Sequence, residues 1–381
     1  MGTVSQLRDR NRPPAMRIGK EEDAVAVARA LAARLRPKAS LRDIERQHAL
    51  EELEALCSSG LLGISAPAEV DGIDISNGIL AEIVAMLAES DPSVADLYCS
   101  HLQVLEILRW EGSDEQQKAY FERALQGELF SACAQSQEET VALTQNGSIF
   151  RVEGRQTAHA GVLFADWIAV AARDAAGRDE IVLIPRQADG LTVIDDWDSF
   201  GQRTAGGGTV VLQNLVLGND ALIGASKRQR ATSITAFSDL MHAAVDVGIA
   251  RAAFSDAARP APGGQETAAM IRRGRLAVRL EVASALLERA ARQLDMAQVN
   301  ADEASIRAAV LSAMATRLEA ASTAAMLADA VFDLAGDAAT RIAANLDRHW
   351  RNARAHARTE TDSLLQQLGG LYPAKQAGDQ A

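Results

Sequence analysis

Cysteine is scarce and scattered in this chain of 381 residues. Cys57, Cys99 and Cys133 are odd in number and far apart, which excludes a disulfide framework and a clustered zinc site. All three are expected as reduced core residues, and no metal is expected. Proline is also sparse, at 9 residues, and with 48% apolar residues the composition fits a folded, largely helical protein. Positive charge is in deficit: the net charge is -12 and the pI about 5.1. A nucleic-acid groove and an anionic membrane surface both select for clustered Lys and Arg, so small molecules or other proteins remain as partners. No run of about 18 apolar residues is present, and the polar start MGTVSQLRDRNR has no hydrophobic signal core. The expectation is a cytoplasmic protein with neither a nucleic-acid nor a membrane partner.

What is present is a change of residue pattern. From Phe130 to Leu217 the runs FSACAQSQ, SIFRVEG, DWIAVAAR, EIVLIP, LTVIDDW and TVVLQNLVL are rich in β-branched and aromatic residues. They are separated by Asn146-Gly147, Ala176-Gly177 and Asp189-Gly190, and Asn-Gly predicts a hairpin turn at 146 to 147. On both sides the period is helical. Ala24, Val27, Ala28, Leu31 and Leu35 share one face, as do Val94, Leu97, His101, Val104, Leu105 and Leu108. Ser113 with Gln116 predicts a capping box, and Asp91 or Ser93 a cap for the helix before it. After Ser233, two long seams rich in Ala (Leu276 to Leu294 and Val310 to Phe332) predict close-packed helices of a bundle or a subunit interface. These shifts divide the chain into a helical unit, 1–128, a β unit, 129–230, and a second helical unit, 231–381.

That order of parts resembles the acyl-CoA dehydrogenase superfamily over nearly the whole chain. The stretches LTVIDDWDSFGQRTAGGGTVVLQNLVL, MHAAVDVGIARAAF and NLDRHWRNARAHA resemble its flavin-dependent monooxygenase branch, the sulfur-acquisition oxidoreductases and dibenzothiophene monooxygenases. The resemblance implies an α+β fold, with an N-terminal helical domain, a middle β-sandwich or barrel and a C-terminal four-helix bundle. It further implies a homotetramer or homodimer with flavin, FAD or FMN, between the β domain and the last helices. In that branch a separate flavin reductase supplies reduced flavin, which reacts with O2, and the peroxide so formed oxygenates a small organic substrate. Here the substrate would be a sulfur compound or a ring-containing acyl-CoA or acid, as in tropone-type oxygenation of a CoA thioester. Two alternatives stand beside it: an acyl-CoA dehydrogenase performing α,β-dehydrogenation, and a flavin-free binding or scaffold paralogue.

The resemblance also nominates residues. His101 matches the helix histidine near the flavin, and His356 the first of a two-histidine motif whose second member is Thr359 here. His159 and Thr157 fall where relatives place a flavin N5 hydroxyl and a stacking aromatic. Ala132, Ala134, Gln135 and Ser136 map to the flavin-facing first strand. Trp197 walls either the flavin pocket or the β core, and Arg203 contacts flavin or substrate or fixes its own loop. Glu360 is the candidate for the dehydrogenase base. Gly206-Gly207-Gly208 precedes a strand and is read as a tight turn. The charged run Asp347 to Arg354 is read as a solvated or intersubunit face.

Overall fold

The computed structural model describes residues 14–133, 139–224, 231–257, 266–357 and 361–371. Six helices come first: α1 (Glu21–Leu35), α2 (Ala39–Glu45), α3 (Leu50–Ser58), α4 (Asn77–Ser90), α5 (Pro92–Glu111) and α6 (Asp114–Leu125). Local chemistry sets their ends. The Asp91 side chain accepts from the Ser93 N–H at the start of α5, and Ser113 with Gln116 forms the reciprocal capping box of α6. Gly60 and Gly127 follow α3 and α6 at φ +87° and +88°. A Cβ on Gly127 would also lie 2.1 Å from the Cys57 carbonyl oxygen, so only glycine lets this turn seat against the end of α3.

Eight strands then form one mixed sheet: β1 (Phe130–Ala132), β2 (Val141–Asn146), β3 (Ile149–Ala158), β4 (Trp167–Asp174), β5 (Asp179–Pro185), β6 (Leu191–Ile194), β7 (Gly208–Gly218) and β8 (Leu222–Ile223). Their order is β6-β7-β3-β2-β4-β5-β8, with β1 paired to β4 in parallel. The runs read from the sequence did not include β2, half of whose residues are polar, or β8, which is two residues long. The Asn146-Gly147 turn does join β2 to β3, but Asn146 is itself paired with Ile149 and Gly147 alone takes a positive φ, +66°. The Gly206 to Gly208 turn is tight, as expected. A Cβ on Gly207 would meet the His159 carbonyl oxygen at 2.5 Å and one on Gly206 the Phe164 ring at 2.5 Å.

The chain ends in α7 (Ala231–Ala257), α8 (Glu266–Val299), α9 (Glu303–Ala335), α10 (Asp347–His356) and α11 (Thr361–Leu371). The helices α7 and α9 pack closely along their Ala-rich faces, and α7 also lies on α4 and α5. Ala243, Ala244, Ala250, Ala320, Ala324 and Ala328 are all fully buried there. One large core therefore joins both helical blocks, and a separate core fills the sheet around Val152, Ile168, Val170 and Ile184. The charged run on α10 is solvated only in part: Asp347 and Arg354 are exposed, whereas its other members turn inward. Buried His349 bonds Asp256 at 2.8 Å, and Arg351 bonds Asp43 at 2.6 Å, tying α10 to α7 and α2. Among the described residues no helix is long and apolar enough to cross a membrane.

Candidate active site

A cavity of about 570 Å³ opens where α5, the sheet and α7 meet. Volumes of a few hundred to a thousand Å³ hold cofactors and drug-sized molecules. Its sheet side carries the small residues Ala132, Cys133, Ala169 and Ala171 together with Val170, Ile181, Asp179 and Glu180, and His159 also lines it. Burial pushes the Cys133 thiol up, so it lines the cavity as a neutral group. Its helical side is polar: Asp96, Ser100, Gln103 and Glu111 from α5, and His242 from α7.

Behind His242 runs a buried chain of hydrogen bonds. His242 Nδ1 lies 3.1 Å from His356 Nε2, and His356 Nδ1 lies 2.7 Å from Asp246 Oδ1. The other Asp246 oxygen accepts from the Arg317 guanidinium at 2.6 Å, and Arg317 also donates to the His356 carbonyl at 3.2 Å. Helix spacing and packing explain the convergence. His242 and Asp246 are four residues apart on α7, so they share a face, while α9 and α10 bring Arg317 and His356 across it. Asp246 is fully buried and His356 nearly so. Asp96 Oδ1 stands 3.8 Å from the nearest nitrogen of each imidazole.

Asp96, His242 and His356 place their ligand-type atoms within 4.8 Å of one another, the composition of a metal site. A proton relay fits better. The 3.1 Å contact between the imidazoles is a hydrogen-bond length, and the Arg317 guanidinium, 3.4 Å from His356 Nδ1, is a fixed cation beside the would-be ligand.

The nominated residues distribute unevenly. Ala132 and His159 line the cavity; His159 packs edge-on against Trp197 at 5.4 Å, and the Trp197 indole donates to the Gln202 carbonyl. His356 sits one residue behind the wall, in the relay. His101 does not reach the cavity. It is fully buried, its Nδ1 accepts from the Phe130 N–H at 3.1 Å, and its Nε2 lies 2.7 Å from the Leu62 carbonyl. An accepting Nδ1 makes Nε2 the donor, so this is a neutral histidine that fastens α5 to β1. Thr157 turns away to Glu139, bonding it through both N–H (2.7 Å) and Oγ1 (3.1 Å). Arg203 fixes its loop by donating to the Asp43 and Ile44 carbonyls. Ala134, Gln135, Ser136 and Glu360 lie outside the described residues.

Sequence reasoning missed Asp96, His242, Asp246 and Arg317. Faint signals existed: Asp96 stands among the buried residues of α5 off its apolar stripe, Asp246 follows His242 at helical spacing, and Arg317 falls inside an Ala-rich seam.

Comparison with known proteins agrees with this architecture. The acyl-CoA dehydrogenase N-terminal domain matches residues 20–128 and the acyl-CoA dehydrogenase C-terminal domain residues 240–361, together more than half of the chain. The chain belongs to the acyl-CoA dehydrogenase superfamily. Within it, the chain is 27% identical to dibenzothiophene monooxygenase of Rhodococcus erythropolis, covering 97% of this chain and 98% of that protein. It is also 27% identical to the probable FMNH2-dependent monooxygenase SfnC of Pseudomonas putida, over 91% of this chain and 93% of the relative. Methanesulfinate monooxygenase MsuC from Pseudomonas fluorescens superposes with a TM-score of 0.86 at 24% identity, covering 91% of this chain and 95% of that one. At that identity the superposition speaks for the fold.

Proposed function

We propose that this protein is a flavin-dependent monooxygenase that oxygenates a small organic substrate. The observation that carries the reading is the cavity itself: about 570 Å³, with a patch of small residues on the sheet and hydrogen-bonding side chains on α5 and α7. Full-length relatives that are monooxygenases, one of them FMNH2-dependent, support flavin as the cofactor and FMN as its form. The residues present fit such a group. Ala132, Cys133, Ala169 and Ala171 offer a surface that a planar ring can lie against, and Ser100, Gln103 and His159 offer polar atoms to its edge. When bound and reduced, flavin supplies the two electrons that activate O2.

The protein's own part is to exclude water, hold the substrate and carry a proton. His242 presents its ring to the cavity, and His356, Asp246 and Arg317 hold the tautomer behind it. On this reading residues 1–128, 129–230 and 231–381 act as three units, with α7, α8, α9 and α10 as the helices of a four-helix bundle. Exposed Met270, Val278, Val282, Met296 and Val299 on α8 support a homotetramer or homodimer formed through that helix. A separate flavin reductase is the expected partner.

The test begins with FMN and FAD titrations followed by flavin fluorescence. Binding at micromolar levels is expected; its absence would remove the enzyme reading in favour of a scaffold. Anaerobic mixing with acyl-CoA thioesters should leave bound flavin oxidised. Bleaching at that step is the outcome of the dehydrogenase alternative.

A further inference from the structure

A second hollow lies on the far side of the relay, in a groove between α9, α10 and α11. It measures about 190 Å³, and none of the residues that line it also lines the cavity. At a share of roughly 30 Å³ per water, it has room for about six non-hydrogen atoms. Arg317 of α9 and Arg354 of α10 line it, and no Asp or Glu does among its described lining residues. In a chain with 51 acidic and 39 basic residues, such a place runs against the overall charge.

Both arginines keep donors for a ligand. The bonds of Arg317 run from Nη1 to Asp246 and toward His356 Nδ1, and from Nη2 to the His356 carbonyl; Nε takes part in none of them. A guanidinium has five N–H donors, so this buried cation is only partly used. Arg354 is exposed and lies 5.7 Å over the Trp350 ring, and among the described residues no carboxylate bonds it. A ring face holds a guanidinium by its plane and leaves the N–H edge for a carboxylate or sulfonate. The Ser322 hydroxyl adds a donor at the rim. The rest of the lining is alkyl: Leu318, Ala321 and Ala325 on α9, Ala357 just after α10, and buried Leu364 on α11.

An inorganic oxyanion would answer the arginines and leave the alkyl surface wet. A neutral alkyl group would do the reverse. We infer that this groove is a binding site for a small organic anion, a short-chain alkyl carboxylate or sulfonate, with its head on Arg317 and Arg354 and its tail against Leu318 and Leu364. Two parallel N–H bonds to each oxygen pair give a guanidinium its grip on such a head. The bound anion is not the group transformed in the cavity, because His356 and Asp246 stand between the two places. Arg317 is what they share: it holds Asp246, which in turn holds His356, so the anion rests on the anchor of the relay. The site stands whether or not the oxygenase reading does.

Three probes of similar size test this: propane-1-sulfonate, inorganic sulfate and 1-propanol, titrated calorimetrically at pH 7.5 into the protein with and without FMN. The sulfonate is expected to bind at least about tenfold tighter than either of the others. Arg354→Gln should weaken it about tenfold, and Ala325→Leu, which fills the groove, by at least as much. Arg354 is exposed and Ala325 half-buried, so both variants keep the fold. Ala171→Leu, in the cavity, should leave sulfonate binding within about twofold. Equal binding of sulfate and sulfonate, a preference for propanol, an unaffected Arg354→Gln, or weakening by Ala171→Leu overturns the inference. So does binding of none of the three, the outcome if a second copy of the chain covers the groove. FMN should leave the sulfonate affinity within about twofold. Competition by FMN and none by riboflavin would make the groove the seat of the flavin phosphate and overturn a separate site.

Discussion

The two walls of the cavity are built by opposite rules. The helical wall holds Asp96 and His242, with His356, Asp246 and Arg317 stacked behind them, almost all of it charged or titratable and withdrawn from water. Most of the sheet wall is small or apolar, Ala132, Cys133, Ala169, Val170 and Ala171, with Asp179 and Glu180 of β5 and His159, which packs against Trp197, as its polar members. The contrast teaches where each kind of work is done. Buried ionic networks are costly to assemble and are stable only when every member is matched, so such a network holds its members in one arrangement. A surface of small side chains costs little and sets shape.

The largest expected effect breaks the helical wall at its anchor. Arg317→Met removes the guanidinium from a fully buried Asp246 and should cost about 3–5 kcal/mol in urea denaturation. A loss under about 1 kcal/mol would mean that the network is not held as tightly as its 2.6 Å contact implies. The matching change on the sheet wall is Ala171→Leu. It should leave urea stability within about 1 kcal/mol yet weaken ring binding about tenfold, because the added side chain fills the cavity instead of the core. Equal effects on stability from both substitutions would erase the distinction between the walls.

The smallest effect sharpens it. Asp239 on α7 has one oxygen, Oδ2, with no partner, and burial raises its carboxyl from 3.8 to about 6, with Arg317 pulling the other way. The folded state therefore binds this proton more tightly than the unfolded chain does. Stability is fully present below about pH 4 and declines as pH rises through about 6. Asp239→Asn should gain about 1 kcal/mol at pH 7.5 and nothing at pH 4, read from urea midpoints at the two pH values.

Much of the fold was legible because it is encoded locally. The alternation in DWIAVAAR and TVVLQNLVL marks β4 and β7, and Asp91, Ser113 and Gln116 mark helix starts through bonds spanning two or three residues. The candidate site was legible only in part. His159, Ala132 and His356 were reached through resemblance. His101 was placed at the site by the same route, yet its two ring nitrogens serve the Leu62 carbonyl and the Phe130 N–H inside the core. Periodicity cannot tell a buried imidazole with two backbone partners from one that faces a ligand.

The relay was hidden for a related reason. Its bonds join residues 71, 110 and 114 positions apart, and no local pattern relates residues at such separations. Sequence by itself determined the succession of helices, strands and helices, the caps and glycine turns at their ends, and the acidic net charge. Tertiary structure alone decided which histidine is held by two backbone partners and which stands in a chain of donors and acceptors. The physical reason is that a residue's turn, cap or face depends on neighbours a few positions away, whereas its protonation and reach depend on groups that only packing brings beside it.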